Sequence, residues 1–363
     1  MASTTTNYGF DVPTSSDLVK NGATAISTLG QDIDTFLFRP FSKNAVLNSS
    51  FDIWQRGTSV SVSANVLVYT ADRWQVYNGV NQAMTVSRQA TGDTTNLPFI
   101  QYCARVQRNS GQTGTTETFF TQPLESTNSI PFSNQTVTVS FYARRGTNYS
   151  PTSNNLKVNL VSGTGTDQNI TTYTGGASVA TVTNALTTTW TRYTVTGTVG
   201  ATATELRLDF AFTPTGTAST NDYFEVTGVQ LEVGNQVSPF SRNAATIQGE
   251  LAACQRYYFR NNATSAYAHL GPVGWFTNGT TTTSVMLIPP VTMRTAPTSV
   301  EYGGTVATIS PSAASTNISA LALNQATATN VGLTATVTAV VNTLYSLGAN
   351  ASTAAYIGVS AEL

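Results

Sequence analysis

The segment Thr136–Tyr142, TVTVSFY, alternates apolar and hydroxyl side chains, and the same period of two returns along most of the chain. It recurs in Leu156–Val161, Trp190–Thr196, Glu205–Phe212 and Tyr223–Leu231, with polar turns such as Asn78-Gly79 and Gly163–Gly165 between the runs. A strand puts successive side chains on opposite faces, so a run of this kind buries one face and wets the other. Many short strands without intervening helices imply antiparallel sheets packed as a sandwich or jelly roll.

Composition agrees with extended structure. Charged residues are 10% of the 363 residues, against roughly 25% in an ordinary soluble domain. Thr, Ser, Asn, Gly and Gln take their place, while hydrophobics at 40% and aromatics at 10% are enough for real cores. That content separates the chain from disordered polar sequences. The length suits two domains. A net charge of −1 offers no basic field for nucleic acid or an acidic membrane. Lys occurs only at Lys20, Lys43 and Lys157; the other positive charge is Arg, which suits planar hydrogen-bonded packing between strands or subunits. The N-terminus has no basic segment followed by an apolar run, and no apolar stretch approaches the roughly 20 residues that span a bilayer. Neither secretion nor membrane insertion is expected. Cys103 and Cys254 lie in apolar contexts, QYCARV and LAACQRYY. Buried free thiols are expected in preference to a disulfide, as in a protein assembled in a reducing cytosol.

Four pieces follow along the chain. Residues 1–40 carry turn and N-cap chemistry at Pro13–Asp17 and then a helical run. In that run Val19, Gly22, Ile26, Leu29, Ile33 and Phe36 are spaced 3-4-3-4-3, an a/d seam of just over two heptads. Alone, such a helix is too short to be stable in water. A parallel bundle of identical helices, a trimeric coiled coil, would supply the partner; packing on its own domain is the alternative. Pro40 ends the helix. Residues 41–243 form the jelly-roll β-sandwich, and 244–260 a short linker helix with Ile247, Leu251 and Cys254 on one face. Residues 261–363 form a smaller C-terminal β-sandwich domain, with strands at Ser284–Ile288, Val306–Ile309, Ala335–Val341 and Ala355–Val359. Pro289, Pro290 and Pro297 break its strands or hold edges.

Several phrases resemble those of a known class. Asp17–Ala23, Ala25–Gly30 and Ile33-Asp34 resemble the attachment segment of bacteriophage fibre and appendage proteins. Asn48–Thr58 (NSSFDIWQRGT) and Tyr69–Trp74 (YTADRW) look like the opening of the jelly-roll domain of such proteins, and Val226–Gly234 with Pro239-Phe240 like its close. Glu250–Tyr258 and Ile288–Arg294 before Ala296-Pro297 are similar to the junction and distal domain of tail-fibre-like proteins. The resemblance covers most of the chain. It implies a homotrimeric virion component that docks on other virion proteins by its N-terminus and is assembled in the host cytoplasm. The jelly roll also resembles carbohydrate-binding modules, some of which hold a structural calcium; Asp52, Glu225 and Glu232 would be its ligands. No dense carboxylate loop supports that site, and no metal or cofactor is expected.

Chemistry for catalysis is sparse. His269 is the single histidine, and no GxSxG elbow, HExxH, Walker A or GxGxxG phrase accompanies it. Glycan cleavage needs two carboxylates roughly 5 to 9.5 Å apart. The acids available are Asp72, Glu117, Glu125, Glu205, Asp209, Asp222 and Glu225, with Asp209 expected to pair with an Arg. Sequence alone does not bring two of these together, and no enzyme is expected. Glycan binding needs only an aromatic ring with amides and hydroxyls. Trp54, Trp74 and Trp190 are expected in the core. Tyr267, His269 and Trp275, early in the distal domain, are the candidates for a sugar site, against an aromatic wedge between subunits. The expected function is thus adsorption to host-surface glycan by a trimeric appendage. The alternatives are a capsid decoration or head-fibre protein without a specific ligand, and a glycan-cleaving tailspike.

Overall fold

A computed structural model describes residues 3–5, 10–14, 18–37, 44–276, 282–309, 315–337 and 344–363. The protein is mainly β, built of antiparallel sheets. It divides into two compact units, residues 1–250 with Leu363 and residues 251–362.

At the N-terminus β1 (Ser3–Thr4) pairs with β2 (Asp11–Val12), and a turn of 3-10 helix, Val19–Asn21, leads into α1 (Gly22–Leu37). The helix is described as far as Leu37; Pro40, expected to end it, lies outside the described residues. Ile26 is 66% exposed and Ile33 40% exposed, so the apolar seam is open to solvent in the single chain. The side chains of Val19 and Phe36 lie outside the described residues.

The sandwich comprises twelve strands in chain order: β3 (Ser59–Val62), β4 (Leu67–Tyr69), β5 (Gln75–Tyr77), β6 (Met84–Ala90), β7 (Tyr102–Arg108), β8 (Thr118–Leu124), β9 (Thr136–Arg145), β10 (Asn155–Gly163), β11 (Ala177–Ala185), β12 (Thr191–Thr198), β13 (Glu205–Phe212) and β14 (Tyr223–Val233). One helical turn, α2 (Ser126–Ser129), follows β8. The strands form two six-stranded sheets, ordered β11-β10-β13-β8-β5-β4 and β12-β9-β14-β7-β6-β3. Period-two alternation decides which side chains face inward. Leu156, Val158 and Leu160 of β10 and Leu206, Leu208 and Phe210 of β13 meet Val137, Val139 and Phe141 of β9 in one core. At its centre Trp74 is fully buried, 4.9 Å from the Phe120 ring, 5.2 Å from Phe51 and 5.9 Å from Phe210. Trp54 and Trp190 are also buried.

The linker helix is shorter than its sequence pattern suggests. The helix α3 covers Ile247–Gln255, not residues 244–260, and the two-unit boundary falls inside it after Glu250. Tyr258 begins strand β15 (Tyr258–Asn262), paired with Tyr356–Ser360. The YYF run has the aromatic content of a strand, and a full ladder of backbone hydrogen bonds outweighs one more helical turn. Both cysteines are free and buried.

The second unit continues with β16 (His269–Phe276), β17 (Thr282–Leu287), β18 (Ser299–Gly303), β19 (Val306–Ile309), β20 (Thr316–Asn317), β21 (Ala320–Leu323), β22 (Val331–Thr336), β23 (Leu344–Ala349) and β24 (Tyr356–Ser360). They make three small sheets, β15-β24-β18, β16-β23-β19-β20 and β17-β22-β21, around Leu270, Val285, Met293, Leu333, Leu347 and Ile357. The strand expected at Ala335–Val341 is β22, which ends at Thr336; residues 338–341 of that run lie outside the described residues. Among the described residues no helix is long and apolar enough to cross a membrane.

Candidate functional site

The opening phrase of the sandwich builds one side of a groove. Asn48 (φ 50°) and Phe51 (φ 55°) both take the left-handed conformation, uncommon for a bulky residue. The Asn48 side chain closes this turn, accepting from Ile53 N at 2.9 Å and donating to Ile53 O at 2.8 Å. The Phe51 ring is fully buried in the core, and Asp52, next along the chain, lines the groove. Asp52 Oδ2 accepts from Ser50 Oγ at 2.6 Å and from Arg242 Nε at 2.8 Å. Arg88 donates to the Asp52 carbonyl at 3.3 Å and lies over the Tyr102 ring at 4.4 Å.

The other side of the groove is the loop between β6 and β7. Its first turn is fixed by Asp93, whose carboxylate accepts from Thr95 N, Asn96 N and Asn96 Nδ2 at 2.8 to 2.9 Å. Those bonds, the Asn96 side chain first, hold the Asp93 carboxyl below its ordinary value. Leu97 and Ile100 are buried in a small cluster with Cys103 and Trp190. Thr91 Oγ1 donates to Ile100 O, and Trp190 Nε1 donates to Thr91 O. Phe99, in the Pro98-Phe99 pair flanked by the buried Leu97 and Ile100, is nonetheless 85% exposed. A solvated aromatic ring on a braced loop forfeits the 1.5 to 3 kcal/mol that burying it would supply (an order of magnitude, roughly). Asp52, Pro98, Phe99, Gln101, Tyr102, Arg242 and Ile247 together line a cavity of about 470 Å³.

The acids of β14 are paired within the protein. Glu225, fully buried, accepts from Arg105 at 2.6 and 2.8 Å and from Arg144 at 2.5 Å. Arg105 stacks on Tyr223 and Arg144 on Trp190. Glu232 accepts from Ser238 and Gln230. The three carboxylates considered for calcium are each held by protein donors, and among the described residues no three acidic, histidine or cysteine side chains gather as a metal site.

Most of the remaining acids are likewise engaged. Arg207 grips Asp209 through two bonds of 2.8 and 2.9 Å, as the sequence suggested. Asp222 pairs with the buried Arg108, Glu117 with Lys157, and Asp72 accepts from Gln55. Of the distal candidates, Tyr267 is 61% exposed. His269 opens β16 with Nδ1 2.8 Å from Ser346 Oγ. Trp275 is near the other end of the same strand, six residues on, roughly 20 Å away in extended chain; its side chain lies outside the described residues. Sequence reading overlooked Phe99, because a single aromatic between Pro98 and Ile100 carries no periodic signal. The flanking Asx turn and apolar anchors are its only trace.

No family model matches the sequence, and no curated protein matches it. Among solved structures, the chain is similar to a putative sugar binding protein from Bacteroides thetaiotaomicron, with 12% identity, a TM-score of 0.35, and coverage of 53% of this chain and 100% of the other. It is similar to the enzymatically active domain of tailspike protein 4 from bacteriophage CBA120, with 13% identity, a TM-score of 0.32, and coverage of 53% of this chain but 22% of that one. The xylan-binding domain of Paenibacillus barcinonensis Xyn10C matches at 17% identity and a TM-score of 0.30, over 45% of this chain and 92% of its own. Carbohydrate-binding modules with a β-sandwich fold thus stand among the similar structures. At these scores and identities the likenesses carry nothing about ligand or activity.

Proposed function

We propose that the protein is a glycan-binding subunit of a bacteriophage fibre or similar virion appendage, that it assembles as a homotrimer, and that it has no catalytic role. The observation that carries the glycan reading is the groove: a braced, solvent-facing Phe99 beside Tyr102 and an Asp52–Arg242 pair. A pyranose has an apolar face that stacks on an aromatic ring and an edge of hydroxyls that hydrogen-bonds to charged and amide groups. The sandwich groove therefore replaces Tyr267, His269 and Trp275 as the first site to test. The trimer rests on the exposed apolar spacing of α1 and on the resemblance to fibre proteins; three weak sites on one stalk gain avidity through effective concentration. The non-catalytic reading is supported by Asp209, Asp222 and Glu225 each being held by Arg. Docking through the N-terminal segment and a virion location are parts of the same reading.

The test is an array of host-surface polysaccharides probed with the full-length protein and with Phe99→Ala. Binding that falls at least tenfold in the variant, with unchanged thermal melting, supports the reading. Binding to no glycan moves the protein to capsid decoration. Reducing ends released from a bound polysaccharide move it to the cleaving spikes.

A further inference from the structure

We propose that the groove selects a neutral sugar bearing adjacent hydroxyls, and that the Asp52–Arg242 pair is the element that reads it. The inference rests on the glycan reading above and names the ligand class for that site. Both hydrogen bonds to the Asp52 carboxylate fall on Oδ2. Its Oδ1 accepts no hydrogen bond among the described residues, although the side chain is only 9% exposed. Arg242 donates through Nε alone, and its two terminal nitrogens make no bond within the described protein. The pair thus holds an open acceptor and open donors side by side, fixed by the Ser50 hydroxyl and by the ion pair itself.

A hydroxyl both donates and accepts, so two neighbouring hydroxyls can give one proton to Oδ1 and receive another from the guanidinium. A sugar carboxylate can only accept. It could take the Arg242 fork, but it would then lie against the Asp52 oxygen, and like charges brought together across an interface are strongly unfavourable. The charged residues that line the cavity are one acid and one base, which cancel. Pro98, Phe99, Tyr102 and Ile247 supply the apolar surface for the ring.

The experiment is calorimetric titration of the full-length protein with cellotriose, maltotriose and mannotriose against trigalacturonate, at low and high sodium chloride. The neutral series should bind with an affinity that salt leaves unchanged. Asp52→Asn should weaken it by about tenfold or more, the usual loss when a hydrogen bond to a charged group is removed, and should narrow the gap to trigalacturonate. Arg242→Gln, which keeps an amide donor, guards against a folding defect by weakening the neutral series while thermal melting is retained. Tighter binding of trigalacturonate than of every neutral trisaccharide, lost at high salt, overturns the neutral class and leaves the glycan reading standing. Binding of neither series overturns both.

Discussion

Trp74 and Glu205 show how differently a buried polar atom can behave. Trp74 fills the centre of the sandwich, yet its indole N–H has no partner among the described residues. Truncation to Ala should cost about 3 to 5 kcal/mol by leaving a cavity, whereas Trp74→Phe, which deletes the unsatisfied N–H with part of the ring, should cost far less. Urea unfolding of the two variants checks the contrast. Glu205 is buried at the start of β13, where its Oε1 accepts from Gln168 N at 2.6 Å while Oε2 makes no hydrogen bond of good geometry among the described residues. Burial, with the nearby Asp167 charge assisting, pushes its carboxyl up. A group raised in the folded state contributes stability below its unfolded value, about 4.3, and loses that contribution as pH rises through the folded value. Glu205→Gln should therefore be more stable than wild type at neutral pH, with the difference shrinking as pH falls toward 4 (roughly the unfolded value). Burial raises the Cys103 thiol as well, which accords with an inert core cysteine.

Among the elements, β14 does most to couple the sandwich to its groove. Its ladder to β9 breaks between Thr227 and Gln230, a bulge that frees Val229 to pair with Ser49 in the opening segment. Gly228 within it has φ 57°, and a Cβ there would come within 2.8 Å of Ile100 and 2.9 Å of Tyr142. Gly228→Ala should cost about 1 to 2 kcal/mol from the left-handed backbone alone. Because Ile100 anchors the Phe99 loop, the same variant should also weaken glycan binding. Chemical denaturation and glycan titration of the one variant report both effects. In α1 the exposed Ile26 and Ile33 set a second expectation. Ile26→Asp with Ile33→Asp should convert a trimer held by this seam to monomers in analytical ultracentrifugation, with the melting of the sandwich unchanged. A trimer that survives places assembly in the β units.

At the scale of the molecule, Glu250 marks where the first unit ends. From inside α3 its carboxylate accepts from Asn48 N at 2.5 Å and from Ala244 N at 2.9 Å, tying the close of the unit to its opening. A fragment that stops at residue 243 leaves the buried Asn48 N–H without this partner. It should be about 1 to 3 kcal/mol less stable than one that stops at residue 255, measured by urea unfolding.

The alternating strands were legible from sequence because burial on one face of a sheet imposes a period of two that any reader can find. Val306–Ile309 and Glu205–Phe212 appear at the bounds their pattern gives; Trp54 and Trp74 are in the sandwich core as expected, while Trp190 is buried in the small cluster with Leu97, Ile100 and Cys103. The α3 boundary was not legible, since Tyr258 joins a strand through pairing with Ser360 of β24, far along the chain. Nor was the groove: Asp52, Phe99 and Arg242 belong to three distant segments, and no local pattern encodes their meeting. Local periodicity determined that this chain folds into sandwiched antiparallel sheets, because a half-buried strand must alternate. Long-range backbone pairing alone decided which loops meet at the end of the sandwich, and therefore where an exposed aromatic ring and an open acid–base pair share one groove.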